Sequence, residues 1–190
     1  MSALTRFSYA SLPVSPWRNG GGETREIISW PAGQRDFEWR ASIATIAADG
    51  PFSLFAGIDR SITLLNGEGV HLHGEQGVDH PLTKIGAPYS FAGEVPIAAT
   101  LLGGVTKDFN IMTRRGSCAA QVRAQSHDFE VNGQTAGLLY VLRGEWQVTA
   151  SITLSAEQGL HWVYASNQES HLPIRALQPD AQLLWVEITR

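Results

Sequence analysis

The chain has 190 residues, of which 43% are hydrophobic and 17% charged, enough apolar material for a packed core and too little charge for a disordered chain. A formal net charge of −4 argues against a nucleic-acid binder that works by neutralising phosphates. With 19 Gly, 9 Pro and 6 Trp the composition favours turns and short strands over long helices, and no apolar run approaches the roughly 20 residues of a membrane-spanning helix.

The N-terminus, Met1 to Tyr9, lacks the charged-then-apolar pattern of an export signal. Period-two alternation then runs along the chain with almost no helical periodicity. It predicts strands over 25–30, 42–47, 61–65, 69–73, 89–91, 97–102 and 109–113, and again over 119–124, 138–142, 146–149, 160–164, 174–177 and 183–188. Asp49-Gly50-Pro51, Asn66-Gly67, Gly103-Gly104, Asn132-Gly133 and Pro179-Asp180 separate them as turns. Many short strands at even spacing predict an all-β sandwich or barrel. Cys118 is the one cysteine, so an intramolecular disulfide and a cysteine-built zinc site are excluded. A lone thiol suits an intracellular, cytoplasmic protein, and with Ser117 and Ala119 beside it inert packing is the default.

The two halves echo one another. Thr63 to Leu72 and Tyr140 to Thr149 both read strand, x-Gly-Glu, strand, at an offset of 77 residues. This points to an internal duplication with two Gly-turned hairpins, dividing the chain into halves 1–115 and 116–190. The hairpin resembles the cupin pattern, in which a His-x-His metal site precedes the glycine turn. Here the corresponding windows, 50–60 and 128–137, hold no histidine.

Four segments carry possible chemistry. Pro16 to Ile27 contains Trp17, Asn19, Thr24 and three consecutive glycines, either a backbone nest for an anion or a turn into the first strand. In 52–60, Phe52 and Phe55 are candidate pocket walls, while Arg60 either holds an anion from inside or sits with Asp59 in a surface turn. On the alternating strand 107–115, Asp108, Asn110 and Met112 share one face. The polar Asp108 and Asn110 are solvated or line a polar cavity, in which Asp108 would orient Arg60 or Arg114. His71, His73 and Glu75 form a tempting metal triad, but they follow the glycine turn, and the plainer reading is an exposed edge strand ending in a hairpin tip.

Trp17 to Ile27, Trp39 to Ala44, Asp49 to Arg60 and Asp108 to Met112, taken in that order, resemble the HutD/Ves family, with Arg35 to Ala44 closer to the Ves branch. The resemblance implies an all-β bicupin, two tandem cupin-like jelly-roll barrels packed as one unit, without a catalytic metal or other cofactor. It also implies a binding or regulatory protein for a small carboxylated metabolite, such as formylglutamate or another intermediate of histidine or amino-acid metabolism, or a role in stress. Carried over residue by residue, the pocket would consist of Trp17, Asn19, Thr24, Phe52, Phe55, Arg60, Asp108 and Asn110. The alternative is a cupin enzyme, either a metal-free isomerase or lyase or an oxygenase using His71, His73 and Glu75. Neither nucleic acid nor membrane is an expected partner, and the chain is expected to be a monomer or homodimer. Twelve arginines against two lysines favour fixed carboxylate contacts, with Arg60 first and Arg18 and Arg114 behind it.

Overall fold

A computed structural model describes residues 4–164 and 171–190. The described residues form strands joined by turns, with one short 3-10 turn at Tyr9–Ser11 and no α-helix. In chain order the strands are β1 (Thr5–Ser8), β2 (Val14–Pro16), β3 (Gly22–Trp30), β4 (Trp39–Ile46), β5 (Gly50–Pro51), β6 (Ile58–Asn66), β7 (Val70–Gly74), β8 (Asp79–Leu82), β9 (Pro88–Ala92), β10 (Ile97–Leu101) and β11 (Thr106–Arg114). They continue as β12 (Ala119–Gln125), β13 (Phe129–Asn132), β14 (Ala136–Arg143), β15 (Glu145–Thr149), β16 (Ile152–Ser155), β17 (Gln158–Trp162), β18 (His171–Ala176) and β19 (Gln182–Thr189). Every strand expected from alternation is present. The strands that alternation did not predict (β1, β2, β5, β8, β13 and β16) have two to four residues each. Segments that short are too brief for a period to show, and their partners impose the extended form.

The chain divides into two compact units, residues 12–119 and the described residues of 1–11 with 120–190. In the first, a six-stranded sheet ordered β2-β3-β4-β11-β6-β9 accompanies a four-stranded sheet ordered β5-β10-β7-β8. Ile46, Ile62 and Leu64 of the larger sheet share one core with Val70, Leu72, Leu82, Ile97 and Ala99 of the smaller. In the second unit a five-stranded sheet, β1-β17-β14-β19-β12, accompanies the four-stranded β13-β18-β15-β16. Leu139, Val141, Leu160, Trp162 and Leu183 meet Val131, Trp146, Val148, Leu154 and Ile174 there. Burying each such side chain fully contributes roughly 1.5–3 kcal/mol. The division at 115 expected from sequence therefore differs at the start of the chain, because β1 pairs with β17 from Thr5↔His161 to Ser8↔Gln158.

The echoed x-Gly-Glu turns occupy matching places but do not close hairpins. β6 and β7 lie in different sheets of the first unit, as do β14 and β15 in the second. Gly67 (φ 95°) and Gly144 (φ 74°) carry the chain across from one sheet to the other in a backbone region that side chains disfavour. At Gly67 a Cβ would also lie 2.8 Å from the Val105 carbonyl oxygen.

Candidate functional site

The inner face of the six-stranded sheet builds the site in successive rungs. Antiparallel pairing places directly opposite residues on the same face. One rung reads Arg40–Met112–Arg60–Phe91 across β4, β11, β6 and β9. The next reads Ser42–Asn110–Ile62, and the third Thr24–Ala44–Asp108–Leu64, starting on β3. Alternation on β4 thus turns Arg40, Ser42 and Ala44 inward, opposite to Trp39, Ala41 and Ile43. A cavity of about 490 Å³ opens over these rungs. Arg40, Ser42, Ala44, Ile46, Arg60, Ile62, Asn110 and Met112 line it from the sheet. Pro16, Trp17, Arg18, Asn19 and Thr24 line it from the β2–β3 segment, and Pro51, Phe52, Ser53 and Phe55 from the loop before β6.

Arg60 is its distinctive group. The side chain is inside the barrel, at 8% relative exposure, while its neighbour Asp59 faces outward and pairs with Arg115 at 2.6 Å. The surface-turn reading is therefore wrong, because strand alternation separates the two. The guanidinium lies 4.9 Å from the Phe91 ring centroid and 5.4 Å from those of Phe52 and Phe55. Nη1 donates to the Ser53 carbonyl oxygen at 3.3 Å and Nη2 to Asn110 Oδ1 at 3.4 Å, both long bonds. Nε has no hydrogen-bond partner, and Arg60 forms no ion pair with any described residue. Burial, with the nearby Arg40 charge in support, pushes its pKa down to about 10.

The β2–β3 segment is held by its own bonds. Trp17 Nε1 donates to Thr24 Oγ1 at 2.8 Å, which aims both side chains at the cavity. Asn19 lines the mouth while its Oδ1 accepts the Gly21 N–H at 3.0 Å. The Gly20 N–H donates to the Trp17 carbonyl oxygen at 3.0 Å. None of the three glycines lines the cavity, so the anion-nest alternative gives way to the turn. Gly22 is there because a Cβ would sit 2.1 Å from the Thr45 carbonyl oxygen and 3.1 Å from the Trp17 ring.

Asp108 lies beneath the cavity, fully buried and absent from its lining. Oδ2 accepts from Thr106 Oγ1 at 3.2 Å, and Oδ1 has no partner. Burial pushes its pKa up to about 7. It orients neither arginine expected of it. Arg60 turns to Asn110 and Ser53, and Arg114 donates to the Phe37 carbonyl oxygen at 3.1 Å and reaches Asp36 at 3.5 Å.

Sequence reasoning missed Arg40, Ser42 and Phe91. The alternation of β4 was visible, but a polar face reads as solvent-facing until a cavity is known to lie over it. Arg40 is half-buried, with Nε donating to Glu26 Oε2 at 2.7 Å. Arg18 lines the mouth and is exposed.

The metal alternative does not assemble. His71 Nε2 lies 2.5 Å from Asp79 Oδ1 and His73 Nε2 lies 3.0 Å from Thr100 Oγ1, while Glu75 sits in the turn between β7 and β8. β7 is not an edge strand either, since β10 and β8 flank it. Among the described residues no group of three or more His, Cys, Asp or Glu is placed to hold a metal ion. The cavity lining has three arginines and no His, Cys, Asp or Glu. That donor set does not fit the metal of metal-binding cupins and fits an anion. Cys118 is buried, its thiol donating to the Glu38 carbonyl oxygen at 3.2 Å. No helix among the described residues is long and apolar enough to cross a membrane.

A sequence profile described as HutD matches residues 9–181. The chain belongs to the HutD family. Within it, this HutD-family chain is 45% identical over 184 residues to Protein Ves of Citrobacter koseri, covering 96% of this chain and 93% of that one. It is 44% identical to Protein Ves of Cronobacter sakazakii, covering 96% and 97%. Among solved structures it matches HutD from Pseudomonas fluorescens SBW25, determined in a formate condition, with a TM-score of 0.86 and 25% identity over 98% of both chains. A cupin 2 conserved barrel domain protein from Leptotrichia buccalis matches with a TM-score of 0.62 and 11% identity over 100% and 98%, a likeness of fold. The all-β cupin fold implied by the sequence is therefore the observed one.

Proposed function

We propose that this protein binds a small carboxylated metabolite in the cavity of residues 12–119, with Arg60 as the anchor, in a sensing or regulatory role in amino-acid metabolism or stress. The observation that carries the reading is the buried guanidinium of Arg60, lining a cavity without a carboxylate partner among the described residues. An unpaired buried charge costs several kcal/mol. Three aromatic faces return about 1 kcal/mol each, and the two long hydrogen bonds little more. A carboxylate entering the cavity supplies the missing counter-charge in a setting that excludes water, where the contact is strongest. Asn110, Ser42 and Thr24 add neutral hydrogen-bonding groups around it. The volume falls in the range of small-molecule sites. The P. fluorescens relative, solved in a formate condition, makes formate a natural first probe.

Isothermal titration with formate, formylglutamate and formiminoglutamate tests this. The expected result is saturable binding of at least one acid to the wild-type protein and its loss in a folded Arg60→Met variant. No binding by any of them, or equal binding by the variant, overturns the reading.

A further inference from the structure

Arg60 does not face the cavity alone. Arg40 and Arg60 stand on the same rung, flanking Met112, so their Cα atoms are two strand spacings apart, about 10 Å. Both guanidiniums line the one cavity, and Arg40 is close enough for its charge to act on Arg60. Glu26 engages only Nε of Arg40 and is itself outside the lining, leaving both Nη groups of Arg40 without a hydrogen bond to a described residue. Arg18 adds a third positive group at the mouth. A single carboxylate held by Arg60 leaves both Nη groups of Arg40 facing the cavity, since Glu26 pairs only its Nε. With Arg60 held by neutral partners alone and both Nη groups of Arg40 open, the lining offers two guanidinium donor sets, which suit two carboxylates.

We infer that Arg40 is a second anion-holding residue and that the cavity selects acids bearing two carboxylates, one on Arg60 with Asn110 and one on the free Nη groups of Arg40. This rests on the carboxylate reading of the same cavity and adds to it the charge of the ligand and the residue that reads it. Arg60, deeply buried and collared by phenylalanines, is the anchor common to all acids. Arg40, only half-buried, discriminates between them.

Chain-matched acids isolate the second charge: succinate against butyrate, and glutarate against valerate, titrated calorimetrically at constant ionic strength. The wild-type protein is expected to prefer the diacid of each pair by about tenfold or more, the contribution of one further charge-assisted hydrogen-bonded contact. In Arg40→Gln the preference is expected to fall to near unity with monoacid binding retained. In Arg60→Met all four acids are expected to be lost. NMR of the wild-type protein labelled with ¹⁵N-arginine gives a reading that does not depend on how the variants fold: succinate is expected to shift two guanidinium Nε–H signals and butyrate one. Equal affinity for succinate and butyrate in the wild-type protein, or a diacid preference that survives Arg40→Gln, overturns the role of Arg40 and leaves Arg60-dependent carboxylate binding standing. Failure of all four acids to bind, alongside failure of formate and the formyl and formimino acids, overturns the carboxylate reading itself.

Discussion

The carboxyl of Asp108 makes a prediction that can be worked through in numbers. It is fully buried on β11, and its same-face neighbours on the flanking strands are Ala44 and Leu64. Its one hydrogen bond is from Thr106 Oγ1. Burial raises its pKa from 3.8 to about 7. The folded chain therefore binds more protons than the unfolded chain between about pH 4 and 7, and stability falls as pH rises through that window. At 1.36 kcal/mol per pH unit the full penalty, present above about pH 7, is about 4 kcal/mol. Asp108→Asn keeps an oxygen to accept from Thr106 and carries no charge, so it escapes the penalty. For a chain of this size, where 1 kcal/mol moves Tm by about 2–4 °C, the variant is expected to melt roughly 10 °C above wild type at pH 8. At pH 4.5, where only about 1 kcal/mol of the penalty remains, it is expected to melt about 2–4 °C above it. Thermal unfolding of both proteins at half-unit pH steps checks this. A gap between variant and wild type that is the same at pH 4.5 and pH 8 refutes the reasoning, because Asp108 would then titrate alike in the folded and unfolded chain.

Three more predictions concern the cavity. Arg60→Met removes a buried charge whose pKa is depressed, a cost present at all pH values below about 10. The ligand-free variant is expected to be at least as stable as wild type in urea, by up to about 3 kcal/mol, while losing acid binding. Gly22→Ala places a methyl group against the Thr45 carbonyl oxygen and the Trp17 ring. It is expected to cost about 2 kcal/mol or more, read from the urea midpoint. Thr24→Val removes the acceptor for Trp17 Nε1 and is expected to cost about 1 kcal/mol and to shift tryptophan emission. Trp17→Phe, which lacks the indole N–H, should remove most of the added cost of Thr24→Val.

The strands of five or more residues were legible because alternation is a local property. Any chain with side chains on opposite sides of a pleat must show it if one face is buried. The echo of Gly67 in Gly144 was legible as a repeat, but its meaning was not. A Gly-Glu turn reads the same whether the two strands pair or part company, and only the sheet order shows that β6 and β7 separate. Among the candidate pocket residues, Trp17, Asn19, Thr24, Phe52, Phe55, Arg60 and Asn110 do line one cavity, and Asp108 lies below it. The motifs that carried them are long and unusual, and their family pattern was visible in the sequence. Arg40 and Ser42 lie in one of those same motifs and were passed over, since a polar alternating face has the same appearance toward water as toward a cavity.

Composition, alternation and the order of motifs thus determined by themselves that this is an all-β protein of the HutD family, without a cysteine-built metal site. They also made Arg60 the first cation to ask about. Tertiary structure alone decided which way Arg60 points, that Asp59 takes the surface partner instead, and that Arg40 joins Arg60 from two strands away. The reason is physical: a strand's period reports only that its two faces differ, whereas charge, burial and pKa depend on what the opposite sheet and its loops place over each face.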